Sequence, residues 1–439
     1  MIFISDKKNY ALLLMVVAIL AGASNFAPMG DLLSFGAVAV SLILLIVGDP
    51  LQNLYLLIAL IPFYTSLSVG HMSFYGIFPF IASVKILQEN KPFGLGFLLC
   101  CYVVIVLFLH DRTETSLMNI FNLGSFLFYV SVAAYMLDLK KYDYRYSLGI
   151  LLMAVIISQI SIYIVQGGNI DAFFEERDLR LGEGDVEKGQ KNRLGGAMGF
   201  PIYSMLVISS LCVYLKNFSV NTWMKIMSVL IILMEFFVTF FTISKVYLLG
   251  LSSFAVVTLI YDVRFFSFKR TFVVMLSLVL VAVLFLFVLG DTTQFFISNY
   301  ERRLFSIEIT SGRSYIYDDV ILYLSQNISS LLFGEGRWGY TNIGLDYNYA
   351  FKMSAHNIVL DGIMIYGLLG MAVIAGMYCT FLKKYHIRKI DVFDMSPLIC
   401  WLMMNMTAST FIVEKNYIMV VVLLLNACFC WPKIEEKNG

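Results

Sequence analysis

Four short polar clusters contain the residues whose types suit chemistry in this chain. Each places a cation or an imidazole beside glycines, hydroxyls or an amide, within a few residues of a long apolar run. They are Arg193-Leu-Gly-Gly-Ala-Met-Gly-Phe-Pro201, Thr242-Ile-Ser-Lys245, Ser311-Gly-Arg313 and Ser354-Ala-His356-Asn357. Arginine and lysine donate hydrogen bonds to phosphate oxygens, and histidine exchanges a proton near neutral pH. The residue types therefore favour a site that binds an anion and moves a proton.

Each cluster also has a purely structural interpretation. Arg193 and Lys245 can be interfacial side chains that snorkel at helix ends, and for Arg193 composition alone favours that interpretation. Arg313 follows a Ser-Gly pair at a predicted helix N-terminus, which suits phosphate, but it can also pair with an aspartate of the same helix. A lone histidine such as His356 is more often an interfacial residue whose hydrogen bonds are satisfied. No cluster identifies a function by itself.

Two acidic residues, Glu235 and Asp361, lie inside apolar runs, where a charge is costly. Each is either a buried partner for an arginine or lysine or a catalytic acid or base, and the sequence slightly favours pairing. Arg180 in the first polar loop and Asn357 beside His356 are further candidate site residues.

Several common catalytic signatures are absent from the sequence. It contains no phosphate-binding P-loop, dinucleotide fingerprint, Gly-x-Ser-x-Gly elbow or His-Glu-x-x-His pair. The loops also lack the Asp-x-Asp pair that holds a divalent cation with a sugar nucleotide, and the seven cysteines lack metal-ligand spacing. We therefore expect neither ATP-driven transport nor a hydrolase triad, and no metal or other cofactor.

The composition indicates an integral membrane protein. Of 439 residues, 59% are hydrophobic and only 14% are charged, and the mean hydropathy is +0.81. Soluble domains carry about 25% charged residues, so a soluble multidomain enzyme is excluded. The net charge of +1 provides no bulk field that would attract nucleic acid.

The apolar sequence predicts an all-α protein with about fourteen transmembrane helices, in a range of about 12 to 14. The run at 73–88 is the weakest, because it contains Pro79 and Lys85. The first run lacks a small-residue cleavage site followed by a polar chain, which indicates a retained helix. The predicted spans are 10–28, 32–47, 51–68, 73–88, 93–110, 117–137, 147–166, 198–215, 222–242, 246–261, 271–290, 357–382, 396–413 and 416–431.

The distribution of Lys and Arg predicts that both termini are cytoplasmic. With that orientation, 18 basic residues of the termini and short connections are inside, against three in the short outer turns. Both long loops, 167–197 and 291–356, then lie outside, and each carries seven acidic and five basic residues. A helix is expected near Ser314–Ser325 in the second loop. The predicted regions are helices in 1–166, the first loop in 167–197, helices in 198–290, the second loop in 291–356, and helices with a short tail in 357–439.

The order of these clusters resembles the O-antigen polymerase (Wzy) and O-antigen ligase superfamily of bacterial polytopic membrane glycosyltransferases. The resemblance covers about residues 150–415. It depends on Arg193-x-Gly before a proline, Ser244-Lys245 at the start of a span, Ser311-Gly-Arg313, Phe333-Gly-x-Gly336, and His356-Asn357 followed after nine residues by Gly367-x-x-Gly370. The last pattern is the most specific. Lys245 stands where relatives commonly have arginine, and an Arg-ten-residues-Gly pattern of some polymerases is absent.

The resemblance implies a fold like that of the C-type glycosyltransferases and a reaction at the outer face of the bacterial inner membrane. The substrate would be an undecaprenyl-pyrophosphate-linked oligosaccharide, with membrane lipid and a chain-length regulator as further partners. It implies that Arg193, Lys245 and Arg313 hold the pyrophosphate. His356 would then activate the acceptor hydroxyl or assist the leaving group, with Arg313 also in a catalytic role.

Two other functions fit parts of the sequence. An O-antigen ligase would use the same donor and transfer the glycan to lipid A core, but ligases have fewer spans, so a count near fourteen favours a polymerase. A transporter for lipid-linked sugars would line a midplane cavity with charged residues. The clusters lie instead at the outer ends of the predicted helices, which argues against a transporter.

Overall fold

The computed structural model describes residues 7–27, 29–63, 66–69, 72–74, 77–78, 81–82, 84–85, 88, 143–165, 196–218, 220–242, 244–265, 298, 301, 313–335, 355–384 and 391–407. Its helices are α1 (Lys7–Ala23), α2 (Gly30–Val47), α3 (Pro50–Leu60), α4 (Tyr144–Val165), α5 (Gly196–Asn217), α6 (Thr222–Phe240), α7 (Lys245–Phe265), α8 (Arg313–Gln326), α9 (Ile328–Phe333), α10 (Ile358–Lys384) and α11 (Ser396–Asn405). Short 3-10 turns follow α3 at Ile61–Phe63 and precede α11 at Val392–Met395. A two-residue hairpin pairs β1 (Ser68–Val69) with β2 (Met72–Ser73), antiparallel, with Ser68 opposite Ser73.

The described part of the chain is that of an α-helical membrane protein. Four of its helices are long and apolar enough to cross a membrane: α2, α4, residues Gly199–Asn217 of α5, and α6. A crossing needs about 20 apolar residues. The spans predicted at 93–110, 117–137, 271–290 and 416–431 lie outside the described residues.

The chain forms two compact units, and the first comprises residues 1–161, 312–388 and 405–439. In the N-terminal part of this unit, helix α3 is buried along most of its length, from Asn53 to Leu60. The helix begins at a capping box, in which the side chains of Asp49 and Gln52 each accept a hydrogen bond from the other's backbone N–H. The hydroxyl of Tyr10 on α1 donates to the carbonyl of Gln52 at 2.8 Å. α3 is therefore the central helix against which α1 and α2 pack.

The C-terminus of α2 explains how Lys85 is accommodated in an apolar run. The Lys85 ammonium donates to the carbonyls of Leu45, Ile46 and Gly48, the first at 2.7 Å. The last carbonyls of a helix have no partner within the helix and attract cations. Lys85 therefore caps α2.

The second unit comprises residues 162–311 and 389–404 and contains α5, α6, α7 and most of α11. Here α6 has the polarity expected in a lipid environment. Its buried residues are Ser228, Glu235 and Thr239, whereas its apolar side chains, such as Leu230 and Phe237, are exposed. Polar residues at helix–helix contacts with apolar residues toward lipid are typical of membrane bundles.

Three predicted elements are tested by their observed bounds. The helix expected near Ser314–Ser325 is confirmed as α8. The span predicted at 51–68 is too long, because α3 ends at Leu60 and Pro62, which lacks an N–H, lies in the following 3-10 turn. The run 357–382 is wrong as a continuous helix, since α10 is interrupted at Gly367 (φ 69°, ψ 174°).

Candidate functional site

The turn that carries His356 is fixed by the helix that follows it. Asn357 is the residue before α10, and its side-chain oxygen accepts hydrogen bonds from the N–H groups of Val359 at 2.9 Å and Leu360 at 3.2 Å. Asparagine is among the residues preferred for such caps, because its oxygen pairs with N–H groups that the helix leaves free. The Asn357 amide also donates to the carbonyl of Met406 at 3.2 Å. The predicted position of His356 at a helix N-terminus is therefore confirmed.

A buried carboxylate holds the same turn from its other side. The side chain of Asp361 is fully buried in the first turn of α10, and its Oδ1 accepts a hydrogen bond from the N–H of Ala355 at 2.8 Å. Ala355 is also fully buried and directly precedes His356. A negative charge is favoured near a helix N-terminus. Asp361 thus connects the residue before the histidine to the helix after it.

The backbone of His356 is strained. Its φ of 53° is the only positive φ of a non-glycine residue in the described ranges. Such conformations cost about 1–3 kcal/mol and persist where the surrounding structure holds them, often at functional sites. Asn357 and Asp361 supply that restraint, and the imidazole is half-buried. The turn therefore presents a positioned imidazole at the start of an apolar helix.

The interruption of α10 brings together the two glycine motifs of the sequence. A Cβ atom on Gly367 would overlap the carbonyl of Leu332, and one on Gly334 (φ 78°) would overlap the carbonyl of Ile365. The N–H of Glu335 donates to the carbonyl of Met364 at 2.7 Å, in the last turn before the break. Gly367, the first glycine of Gly367-x-x-Gly370, is thus the point where the backbone at the end of α9 meets the interrupted helix.

Sequence reasoning missed a polar cluster beside this contact. Oε1 of Glu335 accepts hydrogen bonds from the hydroxyl of Tyr323 at 2.8 Å and from the hydroxyl of Ser330. Burial raises the pKa of Tyr323 to about 12, with the Glu335 carboxylate adding to the rise, so the phenol stays protonated as a donor. The signal in the sequence is weak: Glu335 occupies the variable position of Phe333-Gly-x-Gly336.

The structure brings the helix of Arg313 to the helix of His356. Arg313 is the first residue of α8, as the sequence predicts. α8 contacts both α9 and α10 within the first unit. The backbone position of Arg313 is described, and the direction of its guanidinium stays a prediction.

Lys245 lies in the second unit, at the first residue of α7. It follows a tight turn in which Thr242 and Ser244 are buried, and the Thr242 hydroxyl donates to the carbonyl of Thr239 at 2.7 Å. Arg180 and Arg193 lie outside the described residues. The grouping of Arg193, Lys245, Arg313 and His356 around one headgroup therefore stays a prediction.

Glu235 is fully buried in α6, where its Oε2 accepts a hydrogen bond from the Ser204 hydroxyl of α5 at 2.8 Å. Because this contact involves a hydroxyl, it does not decide between the two roles considered for Glu235, and its pairing with a cation stays a prediction. Among the described residues, no group of three or more His, Cys, Asp or Glu is placed to hold a metal ion.

No protein-family model matches this chain, and no curated protein or solved structure is significantly similar to it. The functional interpretation therefore depends on the residues and their geometry. Two features contribute most: the order of the polar motifs along the chain, and the restrained histidine at the N-terminus of α10.

Proposed function

We propose that this protein is an O-antigen polymerase of the bacterial inner membrane. It transfers the growing surface polysaccharide from undecaprenyl pyrophosphate to a new lipid-linked repeat unit, at the periplasmic face. The proposal includes about fourteen transmembrane helices, cytoplasmic termini, two large periplasmic loops and an architecture like that of the C-type glycosyltransferases.

The single observation that supports it best is the restrained turn of His356. A half-buried imidazole is held at a strained backbone position by Asn357 on one side and Asp361 on the other. This arrangement suits a general base, which must stay within hydrogen-bond reach of one substrate hydroxyl. The motif that carries this histidine is also the most specific part of the family resemblance.

The chemistry needs a base and cations but no external energy source. The acceptor hydroxyl oxygen forms a bond to the anomeric carbon of the donor glycan while the bond from that carbon to the phosphate oxygen breaks. Undecaprenyl pyrophosphate leaves with the bonding electrons, and His356 takes the hydroxyl proton. Arg193, Lys245 and Arg313 stabilise the negative charge that develops on the leaving group.

The deciding experiment incubates the purified protein with lipid-linked repeat unit alone, and then with lipid A core added. A polymerase produces glycan ladders without the core, whereas products that require the core would identify a ligase and overturn the proposal.

His356→Ala should abolish the ladders at unchanged protein level in the membrane, because the acceptor hydroxyl loses its base. Removal of a general base typically costs about 100- to 10,000-fold in rate. His386→Ala is the matched control, because His386 follows a predicted span on the cytoplasmic side. Wild-type ladders from the His356 variant would contradict the proposed role.

A further inference from the structure

Glu335 has features that the chemistry of His356 and the cations does not use. Its side chain is half-buried, and its Oε1 is occupied by the two hydroxyl donors, Tyr323 and Ser330. Among the side chains that the structure describes, none donates a hydrogen bond to Oε2, and no lysine or arginine forms an ion pair with this carboxylate. An ionised carboxylate has about four acceptor positions, so this one keeps acceptor capacity toward its surroundings.

The backbone of Glu335 is also held by hydrogen bonds. The N–H of Gly334 donates to the carbonyl of Ser330 at 2.8 Å, and the N–H of Glu335 donates to that of Met364 at 2.7 Å. Replacement of Gly334 or Gly367 by any larger residue would separate the backbones that make these contacts. A fixed acceptor loses little conformational freedom when a ligand binds, which favours a binding role.

The position of Glu335 separates it from the reacting atoms. Its backbone contacts α10 at Met364, about 9 Å along the helix axis from Ile358, the residue at which the helix begins after His356. A carboxylate beside this part of α10 suits a sugar ring other than the one that reacts.

We propose that Glu335 binds hydroxyl groups of the acceptor oligosaccharide, with Tyr323 and Ser330 orienting its carboxylate. Sugar hydroxyls donate to a carboxylate through charge-assisted hydrogen bonds, which are stronger than those to a neutral amide. The role rests on the proposed function, because it assigns the acceptor of that reaction. It makes Glu335 a determinant of acceptor affinity and not of the bond-breaking step.

Two other roles make different predictions. A divalent cation requires about six oxygen ligands, and the described residues offer no group of three or more acidic or metal-ligating side chains. A purely structural carboxylate would only connect α8 to α9. Glutamine could then replace it without a change in acceptor affinity, because the amide oxygen accepts the same two hydrogen bonds.

The test is Glu335→Gln in the full-length protein, with the delipidated repeat-unit oligosaccharide as the binding probe. We expect its Kd to rise about tenfold, and the KM for lipid-linked acceptor to rise similarly with kcat nearly unchanged, because a charge-assisted bond becomes a neutral one. Glu301→Gln, the same change at an exposed residue of the same loop, should leave both constants unchanged. Tyr323→Phe keeps the charge but removes one orienting donor, and should raise Kd by about threefold.

Each outcome separates this role from the polymerase assignment. Suppose that wild-type protein makes ladders. If it does not bind the oligosaccharide, or if Glu335→Gln has a normal Kd, the sugar site is wrong and the polymerase stands. If wild-type protein binds the oligosaccharide through Glu335 but makes no ladder, the polymerase is wrong and the sugar site stands. If Glu335→Gln loses Ca²⁺ binding but keeps oligosaccharide binding, Glu335 belongs to a cation site and the proposed sugar site is wrong.

Discussion

Removal of the Asp361 carboxylate should release the turn that positions His356. In Asp361→Ala, the buried N–H of Ala355 loses its acceptor. A hydrogen bond to a charged group contributes about 1.5–3 kcal/mol, and the left-handed backbone at His356 costs about 1–3 kcal/mol. The free energy of the hydrogen bond and the free energy of the backbone strain are similar in size. Without the carboxylate, the strained turn is therefore no longer favoured over a relaxed one.

This difference predicts the size of the kinetic defect. A loss of about 1.5–3 kcal/mol lowers the ratio of positioned to relaxed histidine about ten- to 150-fold. Because the proposed function assigns His356 to the chemical step, kcat should fall by this factor while KM for lipid-linked acceptor changes little.

The assay is glycan-ladder formation by purified protein, with protein level and elution from size exclusion as controls for folding. Asp361→Asn is the matched variant, because its side-chain oxygen still accepts from Ala355 through a neutral hydrogen bond, so its kcat should fall less than that of Asp361→Ala. Equal loss of activity in the Ala and Asn variants would show that the charge of Asp361 matters rather than the restraint. A wild-type kcat in Asp361→Ala would also refute the reasoning.

Two further predictions concern the helix break and the topology. Gly367→Ala places a methyl group against a backbone carbonyl at positive φ, so it should destabilise the fold by about 1–3 kcal/mol or more, measured as lost protein level and lower thermal stability in detergent. Gly149→Ala in α4 meets open space and should be neutral or stabilising; equal stability of the two variants would contradict the close contact. Single cysteines at Asp185 and Glu301, in a background without native cysteines, should react with an impermeant thiol reagent from outside intact cells, and a cysteine at Lys140 should not. The reverse pattern would invert the proposed orientation.

The features that the sequence predicts well are local ones. The apolar runs predict α2, α4, α5, α6 and α7 to within a few residues at most ends, because burial in lipid requires only enough consecutive apolar side chains. The position of His356 at a helix start is also local, since the neighbouring Asn357 supplies the cap.

The features that the sequence misses depend on distant contacts. The break at Gly367 is hidden in a continuous apolar run, and the carbonyl of Met364 just before it is satisfied by the N–H of Glu335, nearly thirty residues earlier. Glu335 in turn looks unremarkable until Tyr323 and Ser330 are placed beside it. Hydrophobic periodicity depends only on residues that are close in sequence, so it cannot detect contacts between distant residues.

The amino-acid sequence by itself indicated a membrane protein with apolar helices, and it placed the polar clusters near the ends of those helices. Only the tertiary structure decided which polar groups meet: Asp361 with Ala355, and Glu335 with Tyr323 and Ser330. The physical reason is that these two effects act over different separations along the chain. Transfer into lipid adds up residue by residue along the chain, whereas a hydrogen bond requires two atoms within about 3 Å, whatever their separation in sequence.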